Sequence, residues 1–398
     1  MSPTLTLPTA EGGLERYTLR DPRDWTVPSA PARTRIAYAA AHVVADPLAD
    51  NTPGAPAAID WDATMAFRRH LWKCGLRVAD AMDTSQRNMG LDWAATRELI
   101  RRSATEARSF GNVETWLACG AGTDHLKSPP DFSKEPNGGA LDGIIAAYLE
   151  QIAVIEDSGA RVILMASRHL AALARGPDDY HRVYGALLRQ VSRPVILHWL
   201  GDMFDPALRG YWGSRNVAEA TDSFLSLIRD HASHIDGVKV SLLDREHEIR
   251  LRRRLPKRVH LYTGDDFNYP DLIHGDAEGH SDALLGIFDP IASAASVALA
   301  ALDAGDTAAY AAAFEPTLPL ARWLFAAPTY HYKTGIVFLA WLTGHQDAFV
   351  MVNGAQSARS VLHLTEAFRR ADAADLFPDP FLAAARMRAF LATAGIAA

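Results

Sequence analysis

The segment IDGVKVSLLD at 235–244 sets Lys239 in the middle of an apolar, strand-like run. An ammonium in such surroundings is costly unless it is paired or has lost its proton. If strand alternation turns Lys239 into a barrel interior, its pKa falls and the amine becomes a nucleophile toward carbonyl carbon. The protonated imine so formed is an electron sink for breaking or making an adjacent C–C bond. A one-residue shift would instead turn Lys239 outward, to snorkel between helices, and the strand by itself fits either orientation. His198 in RPVILHWL (193–200) is the second group. An imidazole can move protons near neutral pH, or it can be a core histidine bonded to backbone. Third come Thr84 and Ser85 in DTSQRNMGLDW (83–93). Adjacent hydroxyls with their backbone N–H groups suit a carboxylate, and equally suit a turn that caps the next helix.

Further polar groups stand where strands end: Asp83, Arg168, His169, Asp202, Asp265 and Asp266. Spread donors and acceptors of this kind suit a polyhydroxylated, sugar-derived ligand, although TGDDFNYPD (263–271) also carries ordinary turn chemistry. His42, His198, Asp83, Asp265, His274 and His280 have the atoms for a metal site. HGDAEGH places its two histidines six apart, off a common helical face, and neither His-Glu-x-x-His nor His-x-His occurs. A metal-dependent barrel aldolase or hydrolase is therefore the alternative, and a non-catalytic binding barrel is a third reading.

The elements that must hold these groups repeat along the chain. Eight short apolar runs recur at 35–44, 76–82, 113–120, 161–167, 193–200, 236–243, 258–264 and 282–288, separated by helix-like segments such as WDATMAFRRHLWKCG and VAEATDSFLSLIRDHASH. Eight strands alternating with helices over this length predict an α/β fold, a (β/α)8 TIM barrel. No glycine-rich phosphate loop follows the first strand, which argues against a doubly wound sheet. The expected organisation is an N-terminal arm over 1–33, a barrel over 34–303 and a C-terminal helical subdomain over 304–398, with three or four helices after the eighth barrel helix. SPPDFSKEPNGG (128–139) is expected as a loop after the third strand, on the face where barrels build their sites.

Composition narrows the partners. The net charge is −7, and the longest basic run, RLRRRLPKR at 250–258, reads as the solvated end of a helix, so no nucleic-acid footprint is expected. Cys74 and Cys119 are too few for a disulfide framework or a thiolate metal site and are expected as small buried hydrophobes. With neither a leader-like start nor a spanning apolar run, the expectation is a cytoplasmic protein with no membrane partner.

Over approximately 34–345 the chain resembles the dihydrodipicolinate synthase / N-acetylneuraminate lyase family of class I aldolases. DTSQRNMGLDW is similar to that family's Gly-Thr-Thr-Gly-Glu motif, CGAGTD (119–124) to its strand-three motif, VILHWLGDMFD (195–205) to its strand-five end, and YHYKTGIVFLAWLTGHQ (330–346) to its Pro-Val-Lys-Ala-Ala-Leu segment. The resemblance implies Lys239 as the Schiff-base lysine and Thr84 and Ser85 as holders of a 2-keto acid carboxylate. His198 stands where the family places a proton-shuttling tyrosine. Met203 replaces the arginine that grips the aldehyde in dihydrodipicolinate synthesis, Arg87 replaces a glutamate, and Arg168 and His169 replace an aromatic pair. These departures turn the expectation away from dihydrodipicolinate synthesis, toward a lyase or aldolase acting on another 2-keto acid or keto-sugar derivative. No cofactor or metal is expected, and assembly as a dimer or tetramer is implied by the resemblance alone.

Overall fold

The computed structural model describes residues 2–28, 30–126 and 139–396. Ten strands run in chain order as β1 (Thr4–Pro8), β2 (Leu14–Thr18), β3 (Ala37–Ala40), β4 (Arg77–Asp80), β5 (Leu117–Ala121), β6 (Arg161–Leu164), β7 (Val195–Leu200), β8 (Ile235–Ser241), β9 (His260–Thr263) and β10 (Asp282–Leu285). Strands β3 to β10 close a barrel in sequential order, β10 pairing in parallel with β3. This is the expected TIM barrel. Its strands are shorter than the apolar runs that signal them: 35–44 supplies only four strand residues, and 113–116 of the third run forms a helical turn capped by the Asn112 side chain. Of the expected loop at 128–139, residues 128–138 lie outside the described residues, and Gly139 opens the helix Gly139–Ser158.

Two compact units divide the chain. One holds 35–41 and 77–286, which includes all eight barrel strands; the other holds 1–34, 42–76 and 287–398. Within the first, the barrel interior is closed by Tyr38, Ala40, Ala79, Ala118, Ile163, Ile196, Tyr262 and Leu284, whose alternation follows the pleat. The connecting helices start where side chains accept their orphan N–H groups: Asp92 from Ala95, Ser167 from Leu170, Asn216 from Ala218 and Asp244 from His247.

In the second unit the N-terminal arm is a β-hairpin, β1 pairing antiparallel with β2. Its prolines and brevity hide the Thr-Leu alternation of TLTLP. The hairpin is tied to the tail through Tyr17, which donates to Asp372 at 2.7 Å, and through Arg369, which donates to the Pro8 carbonyl at 3.0 Å. After the helix Ala292–Asp303 come five more helices among the described residues, Thr307–Phe314, Leu318–Leu324, Tyr332–Leu342, Val361–Ala373 and Pro380–Thr393. The three or four expected are exceeded because Pro316 and Pro319 divide one apolar stretch into two short helices. Every residue of Tyr332–Leu342 is buried, which accounts for its lack of a polar face.

Candidate functional site

Which way Lys239 points follows from its glycine neighbour. A Cβ on Gly237 would stand 2.5 Å from the Tyr262 ring, and Tyr262 belongs to the interior cluster, so Gly237 faces inward. Two residues on, Lys239 shares that face. His198 sits two residues beyond the interior Ile196 on β7 and is the register partner of Lys239 across the β7–β8 ladder. Both project inside the barrel above its apolar plug, toward the C-terminal ends of the strands. Lys239 is 5% exposed and His198 1%.

The room for the amine comes from a second glycine. A Cβ on Gly264, just past β9, would meet Lys239 Cε at 3.0 Å and Ser241 Oγ at 2.2 Å. Any larger residue there would occupy the path of the lysine side chain.

Electrostatics follow from this burial. Desolvation pulls the Lys239 amine below the ordinary lysine range, against the Asp83 and Asp266 carboxylates, which favour the ammonium. Burial likewise pulls His198 well below its usual value; Lys239 pushes the same way and Asp83 opposes. His198 Nε2 lies 3.3 Å from Ser241 Oγ, while its Nδ1 is buried without a hydrogen-bond partner. An imidazole and an amine both biased by burial toward their uncharged forms are groups able to exchange protons around a carbonyl.

The hydroxyl pair lies in the turn after β4, buried at 1% for Thr84 and 0% for Ser85. Ser85 Oγ donates to the Ala41 carbonyl at 2.6 Å, and its backbone N–H goes to Met82. Arg87 is a buried clamp. It donates to the carbonyls of Ala81 and Gly120 at 3.1 and 3.0 Å, to Asp124 Oδ2 at 2.7 Å and to Gln151 at 2.8 Å. Those contacts tie the C-terminal ends of β4 and β5. Burial alone would raise the Asp124 carboxyl, yet Arg87 and Gln151 hold it down at about 2.

The other expected site residues scatter around the rim. Arg168 pairs with Asp205 at 2.6 Å and, with His169, Trp93 and His125, lines a groove of about 900 Å³. His169 Nδ1 lies 3.0 Å from Thr123 Oγ1, and its buried Nε2 has no partner. Asp202 is exposed, pairs with Arg209 at 3.4 Å and lines a separate cavity of about 350 Å³. Asp265 caps its own turn, accepting from the N–H groups of Phe267 and Asn268. Asp266 and Asp83 are the carboxylates that act on Lys239. Met203 lies over Gly201, where an added Cβ would stand 2.4 Å from its sulfur.

Among the described residues, no three or more His, Cys, Asp or Glu side chains are grouped to hold a metal ion. Cys74 and Cys119 are buried and unbonded to each other, and no described helix is long and apolar enough to cross a membrane. The sequence reading missed Ser241. Its signal is present in retrospect: the period of two that turns Lys239 inward carries Ser241 inward as well.

A family described as "Protein of unknown function (DUF993)" matches residues 5–396. The chain belongs to this family. Among curated proteins, none matches it. Solved structures similar to it include a putative dihydrodipicolinate synthetase from Pseudomonas aeruginosa (15% identity, TM-score 0.60, covering 84% of this chain and 99% of that one). The dihydrodipicolinate synthase from Aquifex aeolicus is similar at 12% identity and TM-score 0.64, over 86% of this chain and 99% of that one. The Thermotoga maritima enzyme gives 12% and 0.62, over 86% of this chain and all of that one (100%). At such identities the likeness is one of fold alone, a closed eight-stranded barrel.

Proposed function

We propose that this DUF993 chain is a Schiff-base-forming lyase or aldolase acting on a 2-keto acid or keto-sugar-derived substrate, and not a dihydrodipicolinate synthase. The observation that carries the reading is the inward pair of Lys239 and His198. The amine is displaced below its ordinary range, and the imidazole next to it is displaced well below its own. Fold likeness to the Aquifex aeolicus and Thermotoga maritima dihydrodipicolinate synthases supports the same class of chemistry.

In this reading Lys239 attacks the keto carbon and His198 moves protons as the carbinolamine collapses. Thr84 takes the substrate carboxylate, while Ser85, whose proton goes to Ala41, fixes the turn that presents it. The 2-keto acid partner, the sugar-derived class and assembly as a dimer or tetramer belong to the same proposal. Met203 in place of an arginine removes a grip on a second carboxylate, which speaks against dihydrodipicolinate synthesis.

Borohydride reduction in the presence of pyruvate tests it. The expected result is a covalent adduct in the intact mass, mapped to Lys239 and unaffected by prior dialysis against a strong chelator. No adduct with pyruvate or with a set of longer 2-keto acids would refute the imine.

A further inference from the structure

We infer that Ser241 is a catalytic residue, the hydroxyl through which protons pass among the Lys239 nitrogen, the substrate oxygen and His198. The inference rests on the imine reading and names a group that reading does not use. Ser241 is 2% exposed and sits on β8 two residues after Lys239, on the same inward face. Its Oγ is 3.3 Å from His198 Nε2. The place where a Gly264 Cβ would stand is 2.2 Å from that oxygen and 3.0 Å from Lys239 Cε, so the hydroxyl and the lysine stem border the same space left by the missing side chain. Three side chains thus converge in sequence: imidazole, hydroxyl, amine.

The chemistry needs such a group. Attack by the neutral amine places the carbonyl π pair on oxygen and leaves a positive nitrogen. Ser241 gives its proton to that oxygen and takes one from the nitrogen, so the carbinolamine is neutral and the serine is restored. A second exchange moves the remaining N–H proton to the departing hydroxyl; water leaves, the C=N bond forms, and the imine then takes a proton from solvent. A histidine kept neutral by burial has no net proton to give and moves one only by exchange, here with the hydroxyl at its Nε2. A hydroxyl that accepts and donates in one step needs none, and the hydrogen bond between its Oγ and His198 Nε2 holds it in line.

The test follows adduct formation between pyruvate and the full-length protein, trapped with cyanoborohydride and timed by intact mass. In Ser241→Ala the rate is expected to fall by ~10²-fold and to rise with imidazole buffer concentration, while the wild type is insensitive to buffer. Ser241→Thr, which keeps the hydroxyl, is expected within a few-fold of wild type. A proton inventory on the wild type, free of any folding question, is expected to bow with deuterium fraction as two protons move together. A wild-type, buffer-insensitive rate in Ser241→Ala, or a linear inventory, overturns the assignment of Ser241 and leaves Lys239 intact. Absence of any wild-type adduct overturns both.

Discussion

Replacing Lys239 by methionine separates the folding consequence of a buried amine from its chemical one. Methionine matches the lysine stem in length and is apolar, so the repacking term should stay below about 1.5 kcal/mol. The electrostatic term has a definite sign. The folded-state pKa lies below the unfolded value near 10.5, so between the two the unfolded chain holds a proton that the folded chain lacks. Stability therefore climbs with pH across that window, by at most about 1.4 kcal/mol per pH unit for one group. At pH 7 the wild type is held back by this term, and Lys239→Met is relieved of it. Urea unfolding of both proteins from pH 6 to 10.5 is the assay, with the difference between them isolating Lys239 from other titrating groups. The expected result is a variant at least as stable at pH 7, with its advantage shrinking as pH rises, and with no borohydride adduct. A parallel pH dependence in the two proteins would mean that the amine is solvated when folded, and the case for a nucleophilic lysine would fail.

Other perturbations address the remaining groups. His198→Phe is expected to slow the proton-transfer steps by ~10²–10⁴-fold in single-turnover assays, and an unchanged pH–rate profile would remove the histidine from the mechanism. Glu248, raised to about 8 by burial, receives hydrogen bonds from Thr263 at 2.9 Å and Ser281 at 2.7 Å. Its favourable contribution is full below the unfolded value near 4.5 and is lost as pH rises through about 8, so Glu248→Gln should flatten the fall in unfolding midpoint over pH 5–8. Arg87→Met leaves the buried Asp124 with Gln151 but without its charged partner and should destabilise by about 3–5 kcal/mol in denaturant unfolding; a loss below about 1 kcal/mol would show that the clamp is dispensable.

The barrel was legible because alternation of apolar runs and helices survives any single mistake about a boundary. Eight runs define eight strands even where, as at 113–116, the first residues form a helical turn. The hairpin was not legible for the opposite reason: two five-residue strands give too few alternations to stand out among prolines. On a single strand the direction of a side chain was legible only up to parity. Lys239 and His198 lie on strands whose period assigns their direction, once Gly237 and Ile196 fix the parity.

Contacts made between strands leave no such trace. Arg87 and Asp124 are 37 positions apart, and no local pattern pairs them or brings the carbonyls of Ala81 and Gly120 onto the same guanidinium. The same holds for Gly264, whose missing side chain reads as turn chemistry in TGDDFNYPD but makes space for Lys239 and Ser241 together. A testable asymmetry follows. Gly264→Ala would put a methyl 2.8 Å from the Val240 carbonyl as well as against both side chains, and overpacking of this kind costs roughly 1–3 kcal/mol. Imine formation should suffer far more than stability, because the methyl displaces the amine and the hydroxyl while the apolar plug at Tyr38, Ile163 and Leu284 below them is untouched. A variant that loses stability but traps pyruvate at the wild-type rate would show that the space beside Gly264 serves packing alone.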